Sequence, residues 1–124
     1  MSEFDHIRAT LATFTQEREW DQFHSPKNLV MALSVEVAEL MEHFQWLTEQ
    51  QSSNLGGDAV EAIAEEIADV QVYLLMLAEK LNIDILQSVN AKIIKNAAKY
   101  PSEKVKGKAQ KYSAYTRDDI AEDK

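Results

Sequence analysis

From residue 58 to residue 100 the chain runs 43 residues without a glycine or a proline. A stretch that long with no residue suited to a tight turn cannot make the frequent reversals of an all-β fold; it reads as helix. The whole chain holds 3 glycines and 2 prolines among 124 residues, so the argument extends to nearly all of it. Long helices with few connections are expected. Hydrophobic residues make up 45%, which is enough for a folded core, and the length suits one domain. The expected fold class is all-α, a four-helix bundle-like subunit.

Local signals divide the chain into four helical segments. The first spans about residues 3–23, with Ser2 as N-cap, Glu3 and Asp5 at the positive helix end, and Phe4, Ile7, Leu11 and Phe14 at helical spacing. His24-Ser25-Pro26-Lys27 breaks it; Ser25 caps a second helix over about residues 26–48, with Pro26 in its first position. Residues 50–57 read as a loop, with two serines, an asparagine and Gly56-Gly57. A third helix begins at Asp58, with Glu61 completing a capping box. It breaks at Asn82-Ile83-Asp84, where Asp84 caps a fourth helix that ends near Tyr100, before Pro101. The domain is expected over residues 1–101. Residues 102–124, with Lys104, Lys106, Lys108 and Lys111 followed by an acidic end, are expected to form an arm or tail.

Charge narrows the function. Lys and Arg number 13 against 21 Asp and Glu, a net charge of −8, which disfavours nucleic acid as a partner. An anionic small molecule is still compatible if metal ions lie between it and the protein. With no cysteine there is no disulfide, thiolate metal site or thiol nucleophile. The most apolar stretch, residues 70–78, is interrupted by Gln71 and is far shorter than the ~20 residues of a membrane span. The sequence Met-Ser-Glu-Phe-Asp-His carries acid where a secretory signal carries base. The expected location is cytoplasmic, away from any membrane.

The most informative residues are Glu36, Glu39, Glu66 and Asp69. Residues three apart project from one helix face. Measured from Glu36, residues Leu29, Leu40, Leu33 and Phe44 fall within about 80° on one side and Glu39 about 60° on the other. Measured from Glu66, residues Leu77, Val70, Ile63 and Leu74 fall in the same arc of about 80°, with Asp69 about 60° opposite. If both apolar stripes face one core, the four acids converge at its rim. Ionised carboxylates placed there repel and lose hydration, at a cost of several kcal/mol for each buried ion. A divalent cation offsets that cost. An all-oxygen donor set selects a hard ion, Mg²⁺ with Mn²⁺ as a possible substitute, and Mg²⁺ completes its shell with water and phosphate oxygens. A ferritin-like di-iron site would need Glu-x-x-His on two helices; the one such motif is Glu3-Phe-Asp-His6, and His43 lies four residues from Glu39 rather than three. Solvent-exposed pairs of glutamates three apart are also ordinary, and a non-catalytic helical oligomer that binds a partner protein is the alternative.

Glu36-Val-Ala-Glu39 and Glu66-Ile-Ala-Asp69, with 26 residues between the pairs, resemble the Glu-x-x-Glu…Glu-x-x-Asp signature of the all-α nucleoside triphosphate pyrophosphohydrolases, the MazG-like superfamily. Arg18-Glu-Trp20-Asp-Gln-Phe23-His24-Ser-Pro26-Lys27-Asn28-Leu29 resembles the dCTP pyrophosphatases within it. So do Phe44-Gln45-Trp46, Asp69-Val-Gln-Val-Tyr73-Leu74, Asn96-Ala-Ala-Lys99-Tyr100-Pro101 and Lys111-Tyr112. The resemblance covers about residues 4–112.

It implies a homo-oligomer, commonly a tetramer built as a dimer of dimers. It also implies Mg²⁺-dependent cleavage between the α and β phosphates of a nucleoside triphosphate, with the four acids as metal ligands. Glu39, further from the apolar stripe, is the expected proton acceptor from water. Trp20, Trp46 and Tyr73 are expected in the nucleotide pocket and His24 near base and sugar. Lys27, Asn28, Asn96, Lys99 and Lys111 are expected to bind substrate, since phosphates need cations and Asn96 has donors and acceptors for phosphate or sugar. The implied role is removal of unwanted deoxynucleoside triphosphates, dCTP-like ones favoured. One position departs. The mammalian dCTP pyrophosphatases carry a histidine nine residues before the tryptophan matching Trp20, and Leu11 stands here. Leucine cannot hydrogen-bond a base edge, so a broader base range is expected.

Overall fold

The computed structural model describes residues 2–107. Every regular element among them is helical: α1 (Glu3–Glu17), a 3₁₀ turn (Asp21–Phe23), α2 (Pro26–Glu42), α3 (Glu49–Ser52), α4 (Gly57–Lys80), α5 (Ile85–Lys99) and α6 (Ser102–Val105). The chain divides into two compact units, Met1–Ile83 and Asp84–Lys124. The first carries α1 to α4 and the 3₁₀ turn; the second carries α5 and α6.

Three helix starts follow from side chains that take orphan backbone N–H groups. Ser2 Oγ accepts from the Asp5 N–H at 3.2 Å, and the Asp5 carboxylate accepts from the Ser2 N–H at 3.3 Å, a complete capping box. Ser25 Oγ accepts from the Asn28 N–H at 3.2 Å, with Pro26 opening α2. Asp84 Oδ1 accepts from the Gln87 N–H at 3.0 Å. Just before it, Asn82 takes a left-handed φ of 55°, a conformation asparagine tolerates better than most residues. The break there is as the sequence leads one to expect.

Other boundaries differ from expectation. The first helix stops at Glu17 rather than near residue 23. Glu19 turns left-handed, with φ 54°, and the Trp20 N–H closes onto the Thr15 carbonyl at 3.0 Å. The chain then leaves as the 3₁₀ turn. The second helix stops at Glu42 rather than Thr48, as the Phe44 and Gln45 N–H groups both donate to the Met41 carbonyl at 2.9 Å. Thr48 instead starts a new element: its side chain and that of Gln51 form the capping box of α3, so residues 49–52 are helical where a loop is expected. The N-cap of α4 is Gly56, which makes no side-chain cap, and Asp58 lies in the first turn where its charge suits the helix dipole. After Pro101 one further helical turn, α6, precedes the end of the described residues.

In the first unit α2 packs along α4, and α1 packs on α4 as well. Among the described residues the buried side chains are Leu29 of α2, Ile63, Leu75 and Ala78 of α4, and Thr15 of α1. The Thr15 hydroxyl donates to the Ala12 carbonyl at 3.0 Å, so it is satisfied where it is buried. Two neighbouring residues at the end of α4 tie down the N-terminal segment. Glu79 accepts from Arg8 of α1, and Lys80 Nζ donates to Asp21 Oδ1 at 2.7 Å. That contact, together with the attraction of the Lys80 charge, holds the Asp21 carboxyl below its usual range.

Candidate active site

Helices α2 and α4 each deliver a carboxylate pair to one rim of their shared interface. Oxygens of Glu36, Glu39 and Glu66 lie within 4.8 Å of one another. Asp69 is outside that set and is exposed; it lies one turn along α4 from Glu66 and acts on the cluster through its charge. The helical arithmetic treats Glu39 and Asp69 alike, but the packing draws Glu39 inward and leaves Asp69 at the edge.

The cluster is electrostatically uncompensated. Loss of hydration pushes the Glu36 carboxyl up to about 7, helped by a hydrogen bond shared with Glu39 and by the charges of Glu39, Asp69 and Glu66. Glu66 is raised for the same leading reason, and then by Glu39 and Asp69, against a smaller opposing pull from His43. Among the described residues, none of Glu36, Glu39 or Asp69 is ion-paired with a lysine or arginine. Glu36 Oε2 and Glu66 Oε2 are buried and accept no hydrogen bond. Buried acceptors with nothing to accept from are costly, and carboxylate oxygens of three residues gathered within 4.8 Å are the donor set a hard divalent cation satisfies. The residues therefore fit such an ion.

About two helical turns from the acids, α1, α2 and α4 line a cavity of about 100 Å³. Its walls include Leu11, Thr15, His24, Leu29 and Met76, and the residues of the two ion pairs, Arg8–Glu79 and Asp21–Lys80, border it. Trp20 lies beside this segment, 45% exposed, its ring edge-on to Phe14 with centroids 5.6 Å apart. Arg18 stacks over the far ring, its guanidinium carbon 3.7 Å from the Phe14 centroid, so the Trp20 indole is braced from behind. Asn28 is exposed, and its side-chain amide donates to the Phe23 carbonyl at 3.0 Å, locking the 3₁₀ turn onto α2. Lys27 is exposed and Tyr73 is half-buried, one turn beyond Asp69 on α4. Trp46, in the turn after α2, is 86% exposed. Asn96 and Lys99 are on exposed positions of α5, in the second unit, and Lys111 lies outside the described residues.

One residue facing the acids was not selected from the sequence. His43 Nε2 lies 3.8 Å from Glu66 Oε1. Its spacing from Glu39 is the only local signal, and that fits no metal motif; the contact joins α2's end to α4 and has no periodicity to betray it.

Residues 31–114 match the sequence profile of the MazG-like family. The chain belongs to that family, and it is an enzyme of the pyrophosphohydrolase class. It is 39% identical over 120 residues to dCTP pyrophosphatase 1 of Mus musculus, an alignment spanning 95% of this chain and 71% of the mouse protein. It is 38% identical over 121 residues to dCTP pyrophosphatase 1 of Homo sapiens, with 96% and 71% covered. A crystal structure of a pyrophosphatase from Archaeoglobus fulgidus superposes with a TM-score of 0.73 at 36% identity, covering 82% of this chain and 94% of that one.

Proposed function

We propose that the chain hydrolyses deoxynucleoside triphosphates, dCTP among them, to the monophosphate and pyrophosphate, and so clears unwanted nucleotides from the cell's pool. The observation that carries this is the pair of buried, unpartnered oxygens, Glu36 Oε2 and Glu66 Oε2, in a carboxylate cluster with no lysine or arginine paired to it among the described residues. Salt-bridging acids of a purely structural module would not be left in that state. Glu36, Glu39, Glu66 and Asp69 are the residues that would hold Mg²⁺, with Mn²⁺ as a substitute. Bound there, such ions neutralise triphosphate oxygens and lower the pKa of water.

The protein's own groups supply the rest. Glu39 accepts the proton of the attacking water. The braced Trp20 indole offers a flat face to the base, and Trp46 and Tyr73 add aromatic surface. His24 and Leu11 line one cavity, one polar and one apolar wall. Lys27, Asn28, Asn96, Lys99 and Lys111 provide positive charge and hydrogen bonds for phosphate and sugar. Because Leu11 offers the base no hydrogen bond, dCTP and at least one other deoxynucleoside triphosphate are expected to be hydrolysed with Mg²⁺, and ribonucleotides far more slowly. Leu11→His should narrow the range towards dCTP. A panel of nucleoside triphosphates with pyrophosphate detection tests this. Equal turnover of dCTP and CTP would overturn the sugar preference, orthophosphate as product would overturn the reaction, and strict dCTP use by the unaltered enzyme would overturn the role given to Leu11.

The active form is a homo-oligomer, a tetramer assembled as a dimer of dimers. Val60, Ile67 and Leu74 of α4 and Leu81 at its C-cap recur every seven residues and remain exposed, one position of the heptad along which a second helix packs. On α2, Val30, Val37 and Met41 are exposed in the same manner. So much apolar surface around so few buried residues calls for a partner surface. Light scattering should give a mass near four chains at micromolar concentration; a single 14.1 kDa species would refute it.

A further inference from the structure

We propose that Gln16 reads the base of the substrate, and that it accepts either pyrimidine: dTTP is hydrolysed alongside dCTP because one rotating carboxamide pairs with both. This rests on the reading of the chain as a hydrolase of deoxynucleoside triphosphates. Leu11, Ala12, Thr15 and Gln16 line the cavity from α1, and their spacings put them on one helix face. Leu29 of α2 and Leu75 and Met76 of α4 supply apolar wall. The cavity holds about 100 Å³, on the scale of the ~150 Å³ apolar cavity that takes up one benzene ring. A single six-membered ring suits it, and a fused purine exceeds it. Leu29 precedes Glu36 by seven residues and Met76 follows Asp69 by seven, about 10 Å along each helix. A nucleotide bridges that gap with its sugar, base in the cavity and phosphates at the acids.

The other polar groups on the cavity wall are engaged. Arg8 is paired with Glu79, and Lys80 with Asp21. The Thr15 hydroxyl gives its hydrogen to the Ala12 carbonyl, and His24 lies close enough to Asp21 to act on its carboxyl. Gln16 differs. Its backbone carbonyl accepts from the Glu19 N–H at 3.1 Å, which ties it to the left-handed turn. Its side chain is exposed, and the amide makes no hydrogen bond among the described residues. That amide holds a donor and an acceptor side by side in one plane. Cytosine presents its N4 amino donor beside the N3 acceptor, and thymine presents its O4 acceptor beside the N3–H donor. Half a turn about the last side-chain bond exchanges the two groups of the amide and matches either edge. An imidazole cannot make this paired contact, because its two nitrogens point in divergent directions. Leu11 and Met76 add carbon surface of the kind that a thymine methyl group meets favourably.

The test compares kcat/KM for dCTP, dTTP and dATP, with Mg²⁺ and pyrophosphate detection, on the unaltered full-length chain and on Q16M. The unaltered chain should turn over dCTP and dTTP within about tenfold of each other, and dATP roughly 100-fold more slowly. Q16M keeps the length of the side chain and removes both hydrogen-bonding groups; it should lower the two pyrimidine values about tenfold. The base-free substrate 2-deoxyribose 5-triphosphate should be hydrolysed equally by both proteins. Unchanged dCTP and dTTP turnover in Q16M would overturn the proposal. So would a loss for one of them alone, since a fixed amide serves one edge, and so would dATP turnover at the pyrimidine level. An equal fall on the base-free triphosphate would make Gln16 a structural residue and overturn it as well. A chain that releases pyrophosphate from none of these compounds defeats the hydrolase reading, and NMR titration with deoxycytidine and thymidine in the absence of metal then decides this proposal separately. Shifts of the α1 amides by both nucleosides, diminished in Q16M, support it; no shifts, or shifts untouched by Q16M, overturn it.

Discussion

Glu36→Gln is expected to reduce Mg²⁺-dependent hydrolysis by roughly a hundredfold or more, and Asp69→Asn to do the same, with the circular dichroism spectrum unchanged in both. Each substitution keeps the shape of the side chain and removes a charge that a cation would meet. The metal-free protein should gain from the Glu36 change. Its carboxyl titrates at about 7 in the folded chain, against 4.5 for an unperturbed glutamate. The folded state therefore binds more protons than the unfolded state between those values. Stability from this group is fully present below about pH 4.5 and is lost as pH rises through 7. Glu66, raised by the same loss of hydration, acts in the same direction. The melting temperature of the metal-free protein, followed from pH 5 to pH 8, should fall less steeply in Glu36→Gln than in the unaltered chain. Undiminished hydrolysis in both variants would remove these acids from the site.

Leu29→Ala is expected to destabilise the protein by about 3 kcal/mol and to lower its melting temperature by ~10 °C. Leu29 is 1% exposed, the most buried side chain among the described residues, and few others share the core with it. Its removal leaves a void continuous with the cavity under Leu11 and His24. It also loosens α2 two turns before Glu36, so activity should decline at temperatures where the fold still persists. A thermal melt within a degree or two of the unaltered chain would show that α2 is held to α4 by other contacts.

Helix starts were legible at most places where a side chain does the capping, because that chemistry lies within three residues. Ser2, Ser25 and Asp84 are examples. Of the helix ends, those at Asn82 and before Pro101 were legible, and those at Glu17 and Glu42 were not. Nothing in the local sequence marks Glu19 as the residue that turns left-handed, and the apolar spacing ahead of it gives no sign of a stop. Thr48 and Gln51 did carry a readable capping box, obscured by the polar composition of their surroundings. Among the acids, the repeated spacing brought Glu36, Glu39, Glu66 and Asp69 to notice, since two helices packed by matching stripes must bring matching positions together. The inequality between Glu39 and Asp69, and the approach of His43 to Glu66, depend on how α2 and α4 cross. Spacing along one helix holds no record of that. Asn96 and Lys99 on α5 are in the same position: their chemistry is readable, their placement is not.

The repulsion lodged between α2 and α4 has a consequence for the protein's lifetime rather than its turnover. A cation taken up by the native chain and ignored by the unfolded one shifts the folding equilibrium by mass action, about 2.7 kcal/mol when its concentration is a hundred times its dissociation constant. The fraction of chains open to proteases at any moment then follows the supply of free cation. Nucleoside triphosphates chelate such ions in solution, so an excess of the molecules this enzyme removes would also draw away what keeps it folded. Abundance and substrate load would be tied together through a shared ion, with no regulatory protein required.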